Sequence, residues 1–340
     1  MKKFFLLCLS MLFIVLAGCS QSSSSQSSET KESSAANKEK SKIEYPTKPI
    51  EVLVPFAAGG STDIGARILA KYLPKYLPNA NLVIVNKPGG SGSIAITDLF
   101  NAKPDGYTLA MSTHRAISMQ PLYGNVKYSY DSFQPISKVF GNQQIMIVKA
   151  DAPWKTFEEW LNYVKKNPGK FSYGVAGGLG SGAHIPVAEL EKQAGFEAKA
   201  VSFEGTPPAI TAVLGGHVQG AMVQPSDAKS LIESGQLRGL FNVSSVPVPY
   251  FPEIPLLKDK GFDVAIDSNT SLFAPKGVPE EIVTKLEEAV KKTMEDPEVI
   301  KEFEKASLQN QYGSPEVVQK EVNEENVRFG KLLKELGLIK

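Results

Sequence analysis

Two glycine-rich turns, more than a hundred residues apart, carry the residue types and spacing best suited to binding an anion. They are Phe56-Ala57-Ala58-Gly59-Gly60-Ser61-Thr62-Asp63 and Gly177-Gly178-Leu179-Gly180-Ser181-Gly182-Ala183-His184. Each follows an apolar run typical of a strand, at residues 50–55 and 171–176, and each precedes a pattern typical of a helix. Free backbone N–H groups and the positive end of the helix dipole make such a helix start an anion site. Two such turns predict a cleft that binds a small molecule with a carboxylate at each end.

Other chemistries fit these turns less well. The first turn could also be a plain strand-to-helix connection with Thr62 or Asp63 as the N-cap. The glycines of the second turn, at 178, 180 and 182, lack the G-x-G-x-x-G spacing of dinucleotide sites, and the sequence has no G-x-x-x-x-G-K-[ST] phosphate loop. Neither Ser61 nor Ser181 has the flanking glycines of a nucleophile elbow, so a serine hydrolase lacks its best candidates.

The three histidines, His114, His184 and His217, show no metal-ligand spacing, so neither a metal site nor a cofactor is expected. His184, predicted to lie about one turn into the helix after the second glycine turn, either donates to a ligand or is a packed structural histidine. His114 and Arg115 follow the strand that begins at Tyr107. They add a positive contact for a second or third carboxylate or, in the case of Arg115, stay solvated in a loop.

The first residues predict the signal peptide of a lipoprotein. Lys2 and Lys3 precede an apolar stretch at residues 4–17, which is shorter than the ~20 residues that a helix needs to cross a bilayer. The stretch ends in Leu16-Ala17-Gly18-Cys19, which is similar to the lipobox of bacterial lipoproteins, where the cysteine is acylated and becomes the mature N-terminus. The alternative is an ordinary cleavage site followed by an unrelated cysteine.

Removal of the signal peptide, residues 1–18, leaves Cys19 as the one remaining cysteine, so no disulfide or thiolate metal site is expected. The Ser-rich segment at residues 19–44 has too few large apolar residues to order itself and is expected to be a tether. Lipid on Cys19 would anchor the chain to the cell membrane, with the folded part outside the cytoplasm.

Beyond the tether, short apolar runs alternate with helical patterns, which is typical of α/β folds. Residues 45–340 exceed the length at which one core usually stops growing, so two lobes are expected. With 37 basic and 36 acidic residues, the chain lacks the electrostatic footprint of a nucleic-acid-binding protein. Strands are predicted at residues 50–55, 82–86, 107–112, 144–149, 171–176, 199–203, 218–223, 237–243 and 271–274.

Several short motifs follow one another along nearly all of the chain beyond the tether. They include Val54-Pro55-Phe56-x-x-Gly59-Gly60-x-Thr62-Asp63, Val85-Asn86-Lys87-Pro88-Gly89-Gly90-x-Gly92, Lys103-Pro104-Asp105-Gly106-Tyr107, Asn167-Pro168-Gly169-Lys170, Leu214-Gly215-Gly216 and Pro252-Glu253-Ile254-Pro255. Together they resemble the Bug/TctC family, the substrate-binding proteins of tripartite tricarboxylate transporters.

The resemblance implies a two-lobed α/β fold of the type II periplasmic-binding-protein, or Venus flytrap, class. Lobe 1 would comprise residues 45–145 and 267–340, and lobe 2 residues 146–266, with the ligand between them. It implies a monomer that captures a small organic anion of the di- or tricarboxylate type and delivers it, without chemistry, to membrane permease subunits. Two alternatives stay open: a sensor that presents the same ligand to a signalling receptor, and a surface α/β hydrolase or transferase.

The resemblance implies that the ligand carboxylate is held chiefly by backbone groups, hydroxyls and ordered water of the two turns rather than by a cationic side chain, and neither turn contains Lys or Arg. Ala58, Glu204 and Asn269 replace a common proline, lysine and tryptophan of the family, which leaves the identity of the ligand open while the fold is kept. The expected ligand-binding residues are Phe56, Ala57, Ala58, Gly59, Gly60, Ser61, Thr62, Asp63, Thr113, His114, Gly177, Gly178, Gly180, Ser181, His184, Phe203, Gly205, Thr206, Gln224 and Asp227.

Overall fold

The computed structural model describes residues 43–179, 181–264, 266–335 and 339. The signal peptide, the lipidation site Cys19, nearly all of the tether and Gly180 lie outside these residues. The described residues belong to one structural unit, Ile43–Lys340. Within them, no helix is both long enough and apolar enough to span a bilayer.

The described residues form eleven strands in two sheets. The strands are β1 (Ile50–Val54), β2 (Leu82–Asn86), β3 (Thr108–Thr113), β4 (Phe133–Asn142), β5 (Ile145–Lys149), β6 (Ser172–Ala176), β7 (Lys199–Phe203), β8 (Gly220–Val223), β9 (Leu237–Asn242), β10 (Ser268–Pro275) and β11 (Gln309–Gly313). All nine predicted strands are present, and β4 and β11 are additional. Proline in β4 and a mostly polar sequence in β11 hide these two strands from a search for apolar runs.

The two sheets are built to the same plan. In the first the strand order is β11-β4-β10-β3-β1-β2, with β1 parallel to β2 and β3, and β10 antiparallel to β3. In the second the order is β7-β6-β8-β5-β9, with β6 parallel to β7 and β8, and β5 antiparallel to β8. Strands β1 and β6 therefore occupy equivalent positions, and a glycine turn follows the carboxyl end of each. Open α/β sheets bind their ligands at such carboxyl ends.

The chain passes from the first sheet to the second through Gln143 and Gln144, and it returns through residues 243–267. The two passages are bonded to each other. The Gln144 N–H donates to Ser244 Oγ at 2.8 Å, and the Gln144 carbonyl accepts from the Val243 N–H at 2.9 Å. The division into a lobe of residues 45–145 with 267–340 and a lobe of residues 146–266 stays a prediction, and we propose it on the basis of these passages.

Helices cover the faces of both sheets. They are α1 (Ser61–Tyr72), α2 (Ser93–Asn101), α3 (His114–Ser118), α4 (Gln120–Tyr123), α5 (Phe157–Lys166), α6 (Ile185–Ala194), α7 (Thr206–Leu214), α8 (Pro225–Glu233), α9 (Glu280–Glu295), α10 (Pro297–Lys305) and α11 (Pro315–Glu335). In α9, Ile282 and Leu286 lie on one buried face, which packs on the core of the first sheet. In α5, Trp160 packs against Phe171 and Phe241 of the second sheet. Each core fixes the strand end from which a glycine turn leaves.

Candidate ligand-binding site between the two sheets

The first glycine turn, between β1 and α1, is shaped by Asp63. Gly59 has a φ of +80°, which favours glycine, and its N–H donates to Asp63 Oδ2 at 2.8 Å. Asn86 Nδ2 donates to the same carboxylate, and Arg67 pairs with it at 2.9 Å. Burial alone would raise the pKa of Asp63, but the hydrogen bonds from Arg67, Gly59 and Asn86 outweigh it and lower the pKa. Asp63 therefore holds the turn in shape, and its contact with a ligand stays a prediction.

The second glycine turn is longer than the sequence pattern predicts. Gly177 and Gly178 both have a φ of +84°, and α6 begins only at Ile185. His184 directly precedes the helix, so the prediction that it lies one turn inside is wrong. The reason is Pro186, which lacks an N–H and is tolerated only in the first turn of a helix. Burial lowers the pKa of the His184 ring.

A cavity of about 70 Å³ lies where the two turns face each other. This volume is enough for several water molecules. The predicted site residues that line it are Phe56, Ala57, Gly60, Ser61, Thr62, Thr113, Gly177, Ser181, Thr206 and Gln224. The lining is completed by Ser91, Arg115, Ala116, Met119, Tyr123, Gln144, Ala176, Gly182, Ala183 and Met222. Of these, Arg115 is a contact considered from the sequence, and Gly182 and Ala183 are members of the second glycine turn.

The other predicted residues within the described ranges lie off this cavity. Phe203 instead lines a second cavity, of about 400 Å³, together with Glu204. Gly205 lets the two sides approach, because a Cβ at this position would lie 2.9 Å from the Cβ of Ala57. The residues off the cavity are Ala58, Gly59, Asp63, His114, Gly178, His184, Phe203, Gly205 and Asp227.

Hydrogen bonds join the loops of the two sheets around the cavity. Ser61 Oγ donates to Gln224 Oε1, the Ala57 N–H donates to the Glu204 carbonyl at 3.4 Å, and Ser91 Oγ donates to the Gly177 carbonyl. The two sides therefore touch in this structure, and residues from both sheets enclose the cavity.

Arg115 is the charged residue of the cavity. Among the described residues that line it, no other side chain carries a charge. Arg115 is only 5% exposed, so the alternative of a solvated loop residue is wrong. The reason is that α3 begins at His114, directly after β3, and buries both residues.

The guanidinium of Arg115 is not satisfied by the protein. Its Nη1 and Nη2 atoms are buried and have no hydrogen-bond partner among the described residues. Burial lowers the pKa of Arg115, while the charges of Glu325 and Asp267 raise it. An arginine keeps its proton under such opposing effects, because its ordinary pKa lies above about 12. The cavity therefore contains a positive charge whose Nη groups have no hydrogen-bond partner among the described residues.

His114 is buried against β10 rather than exposed to the cavity. It is 1% exposed, and its Nε2 lies 2.6 Å from Ser271 Oγ. Burial, together with the positive charges of Lys138 and Arg115, lowers its pKa to about 3. The ring is neutral at physiological pH, so the positive contact considered for His114 is not made.

Asp227, in the first turn of α8, lies beside the first glycine turn. Its carboxylate accepts a hydrogen bond from Thr206 Oγ1. Burial raises the pKa of Asp227 from 3.8 to about 6, against the lowering effect of hydrogen bonds from Thr206 and Ser61. This side chain is thus engaged by the protein next to the residue that starts α1.

None of the three residues that depart from the family pattern lines this cavity. Ala58 and Glu204 are exposed, and Glu204 lines only the second cavity. Asn269 Nδ2 donates to Glu321 Oε2 at 3.2 Å. That these three residues change the ligand stays a prediction.

The lining is suited to binding an anion. It offers the hydroxyls of Thr62 and Ser181, backbone N–H groups and one guanidinium. A nucleophile would need an adjacent base, and the described lining contains no His, Asp, Glu or Lys. Across the described residues, no group of three or more His, Cys, Asp or Glu side chains is arranged to hold a metal ion.

Known proteins resemble this chain over most of its length. A sequence profile described as the tripartite tricarboxylate transporter family receptor, TctC, matches residues 66–338. The periplasmic binding protein BugD is 30% identical, with a TM-score of 0.81 over 87% of this chain and 100% of its own. MatC from Rhodopseudomonas palustris with bound malate is 26% identical, with a TM-score of 0.79 over 85% of this chain and 100% of its own. A further R. palustris protein, with adipate, is 27% identical, with a TM-score of 0.81 over 86% of this chain and 99% of its own. These likenesses confirm the predicted two-lobed fold.

Proposed function

This chain belongs to the TctC family of tripartite tricarboxylate transporter receptors, and we propose that it captures a small carboxylate of the di- or tricarboxylate type outside the cytoplasm. It delivers this ligand unchanged to the permease subunits of such a transporter. It acts as a monomer anchored to the membrane through lipid on Cys19.

One observation carries the proposal: the two glycine turns, which follow equivalent strands of two sheets, enclose a single cavity between them. A ligand in this cavity contacts both sheets at once. Its binding therefore stabilises the arrangement in which the two sides touch, by the difference in its affinity for the closed and open states.

The chemistry of the lining supports a carboxylate. A helix N-terminus contributes about 0.3–1 kcal/mol to the binding of an anion at an exposed site and up to about 2 kcal/mol when partly buried. A hydrogen bond to a charged group contributes about 1.5–3 kcal/mol. The start of α1 together with the hydroxyls of Thr62 and Ser181 supplies several such contacts. The contacts between the sheets exclude water and strengthen each of them.

The relatives support the same class of ligand. MatC carries malate, and the second R. palustris structure carries adipate. Both ligands are dicarboxylates. Because this chain shares their fold over most of its length, we assign it a ligand from the same chemical class.

The ligand can be identified by mass spectrometry of small molecules released when the purified protein is denatured. An organic acid with two or more carboxylates is expected. Returned to the ligand-free protein, that acid should raise the melting temperature, and so should some members of a panel of succinate, malate, glutamate, adipate and citrate. If no acid copurifies and none raises the melting temperature, a carboxylate is the wrong ligand class.

Gly60 provides a matched pair of variants for the cavity. A Cβ at Gly60 would have its nearest neighbours at 3.5 Å, an ordinary contact, so Gly60→Ala should fold and bind. Gly60→Val adds two methyl groups at the cavity wall, facing Thr206 and Pro207. It should abolish binding with an unchanged far-UV circular dichroism spectrum. Equal binding by both variants would contradict this placement of the site.

Delivery is tested in cells. Uptake of the identified acid should fall when the chain is deleted and recover when it is expressed again. Unchanged uptake would favour the sensor alternative over transport.

A further inference from the structure

We infer that the Arg115 guanidinium binds a second carboxylate of the ligand and thereby makes this protein select dicarboxylates over monocarboxylates of the same size. The inference rests on the proposed function and names the residue that decides the ligand class. It adds a cationic side chain to the backbone groups and hydroxyls that the resemblance implies for the carboxylate at the turns.

The first argument is the path of the side chain. Arg115 belongs to α3, which follows the first sheet, yet its side chain lies against Gly182 in the turn of the second sheet. A Cβ on Gly182 would lie 2.1 Å from Arg115 Nε. Gly182 does not have a positive φ, so its backbone does not require glycine. Space for Arg115 therefore accounts for the glycine, and the guanidinium spans the gap between the two sheets.

The second argument is the absence of a protein partner. Nη1 and Nη2 of Arg115 are buried and unbonded within the described residues, and no ion pair joins Arg115 to a carboxylate there. Among the acids, Glu325 has the largest electrostatic effect on Arg115, but its Oε2 accepts a hydrogen bond from Ser118 Oγ at 3.0 Å. Burial raises the pKa of Glu325 to about 7, although Arg115 lowers it. A buried charge without a partner is costly, so the site is incomplete until an anion enters.

The third argument is complementarity. Guanidinium and carboxylate form paired, parallel hydrogen bonds, which are stronger and more directional than bonds to a neutral group. The hydroxyls of Thr62 and Ser181 are available for the other carboxylate. A ligand with one carboxylate would leave either the turns or Arg115 unpaired inside the closed cavity. A site with a buried group left unpaired discriminates strongly against such a ligand.

The test compares succinate, malate and adipate, each with its own monoamide, which keeps the length but removes one charge. Calorimetry uses the full-length protein. The wild-type protein should bind at least one diacid about tenfold or more tightly than its monoamide. In Arg115→Gln, the diacid affinity should fall to that of the monoamide. In Arg115→Lys, which keeps the charge but loses the paired geometry, part of the preference should remain. Arg238→Gln removes an arginine that lies off the cavity and donates to the Trp154 carbonyl, and it should keep the wild-type ratio.

The melting temperature of the ligand-free protein separates binding from a structural role. Because the Nη atoms are unbonded, Arg115→Gln should melt at the wild-type temperature or above it. A misfolded variant or a lower melting temperature would make Arg115 a structural residue and overturn the inference. If the wild-type protein binds diacids and their monoamides with nearly equal affinity, the inference is also overturned. The same holds if Arg115→Gln keeps the wild-type preference for the diacid. In both cases the proposed function would stand. If the wild-type protein binds none of these acids, the proposed function fails and the inference fails with it.

Discussion

Ser181 is the single residue whose hydroxyl tests the cavity most directly. Its Oγ is buried in the cavity lining and has no hydrogen-bond partner among the described residues. Ser181→Ala should therefore leave the stability of the ligand-free protein nearly unchanged. It should weaken carboxylate binding by about 1.5–3 kcal/mol if the hydroxyl bonds the ligand directly. Calorimetry and thermal melting measure the two quantities.

Ser230→Ala is the matched control for Ser181→Ala, because Ser230 is exposed on the surface of α8. It should change neither quantity. If Ser181→Ala binds within twofold of the wild-type protein, its hydroxyl does not contact the ligand. A bridging water in the place of the hydroxyl would give an intermediate loss.

Asp227 predicts a pH dependence of stability. Its pKa in the folded protein is raised from 3.8 to about 6, so the folded state holds the proton more tightly than the unfolded state does. The resulting stability is fully present below about pH 4 and is lost as the pH rises through about 6. Asp227→Asn removes this loss. The free energy of unfolding of the variant, relative to wild type, should therefore increase between about pH 4 and about pH 7.

Urea unfolding at both pH values measures the difference, with Asp259→Asn as the same substitution at an exposed position. A difference between Asp227→Asn and wild type that is the same at both pH values would show that burial does not perturb this carboxyl.

At this scale the sequence predicted the residues that lie in the turns better than those that reach the cavity from elsewhere. Ser61, Thr62 and Ser181 stand beside glycines that mark the turns, and they line the cavity. Arg115 also lines the cavity, but no glycine marks its position in the sequence. Its burial depends on α3 starting directly after β3 and on α11, some two hundred residues later in the sequence. Ser91 could have been found, since it lies within the Gly89-Gly90-x-Gly92 motif.

At the scale of elements, the second glycine turn is built to fit a side chain from the other sheet. Gly182→Ala would place a Cβ 2.1 Å from Arg115 Nε, so Arg115 must move before the two sides can touch. We expect diacid binding to weaken by about tenfold or more, an effect of about 1.4 kcal/mol. Far-UV circular dichroism should be unchanged, because α6 begins beyond this residue.

Gly330→Ala is the control, since a Cβ there would have its nearest neighbour at 4.0 Å and the helix α11 would gain a better helix former. It should bind normally and be at least as stable as wild type. If Gly182→Ala binds diacids as tightly as the wild-type protein, diacid binding does not depend on the present position of the Arg115 side chain.

The elements themselves were more predictable than their boundaries. Apolar runs predicted nine strands correctly because each of these strands, at an edge or not, packs apolar side chains on a core. Strand β11 is an edge strand with the sequence Gln309-Asn310-Gln311-Tyr312-Gly313, and its pairing with β4 depends on residues distant in the sequence. The late start of α6 was signalled by Pro186, which the glycine pattern obscured.

At the scale of the whole molecule, ligand binding should draw the two sheets together. In this structure the loops around the cavity are bonded to each other, so the complex with a diacid should scatter X-rays with the radius of gyration of this structure. The ligand-free protein in solution should be larger, and the monoamide should close it poorly. If no member of the acid panel lowers the radius of gyration, binding and closure are not linked.

The membrane anchor is a separate prediction, because Cys19 lies outside the described residues. Cys19→Ala should prevent lipidation and yield uncleaved or soluble protein whose ligand affinity equals that of wild type. Cell fractionation with calorimetry measures both. A Cys19→Ala protein that stays membrane-bound after removal of residues 1–18 would show that another segment provides the anchor.

The two hydrogen-bonded passages between the sheets also form the line about which one sheet can rotate relative to the other. Gln144 lines the cavity and is hydrogen-bonded to Val243 and Ser244. A ligand in the cavity therefore lies close to this axis of rotation. When one sheet rotates about this line, each atom moves in proportion to its distance from it. The displacement is small at the ligand and largest at the outer strands β2 and β7, which end the strand order farthest from the passages. A partner protein that binds both β2 and β7 can therefore distinguish the ligand-bound from the ligand-free protein without contacting the ligand.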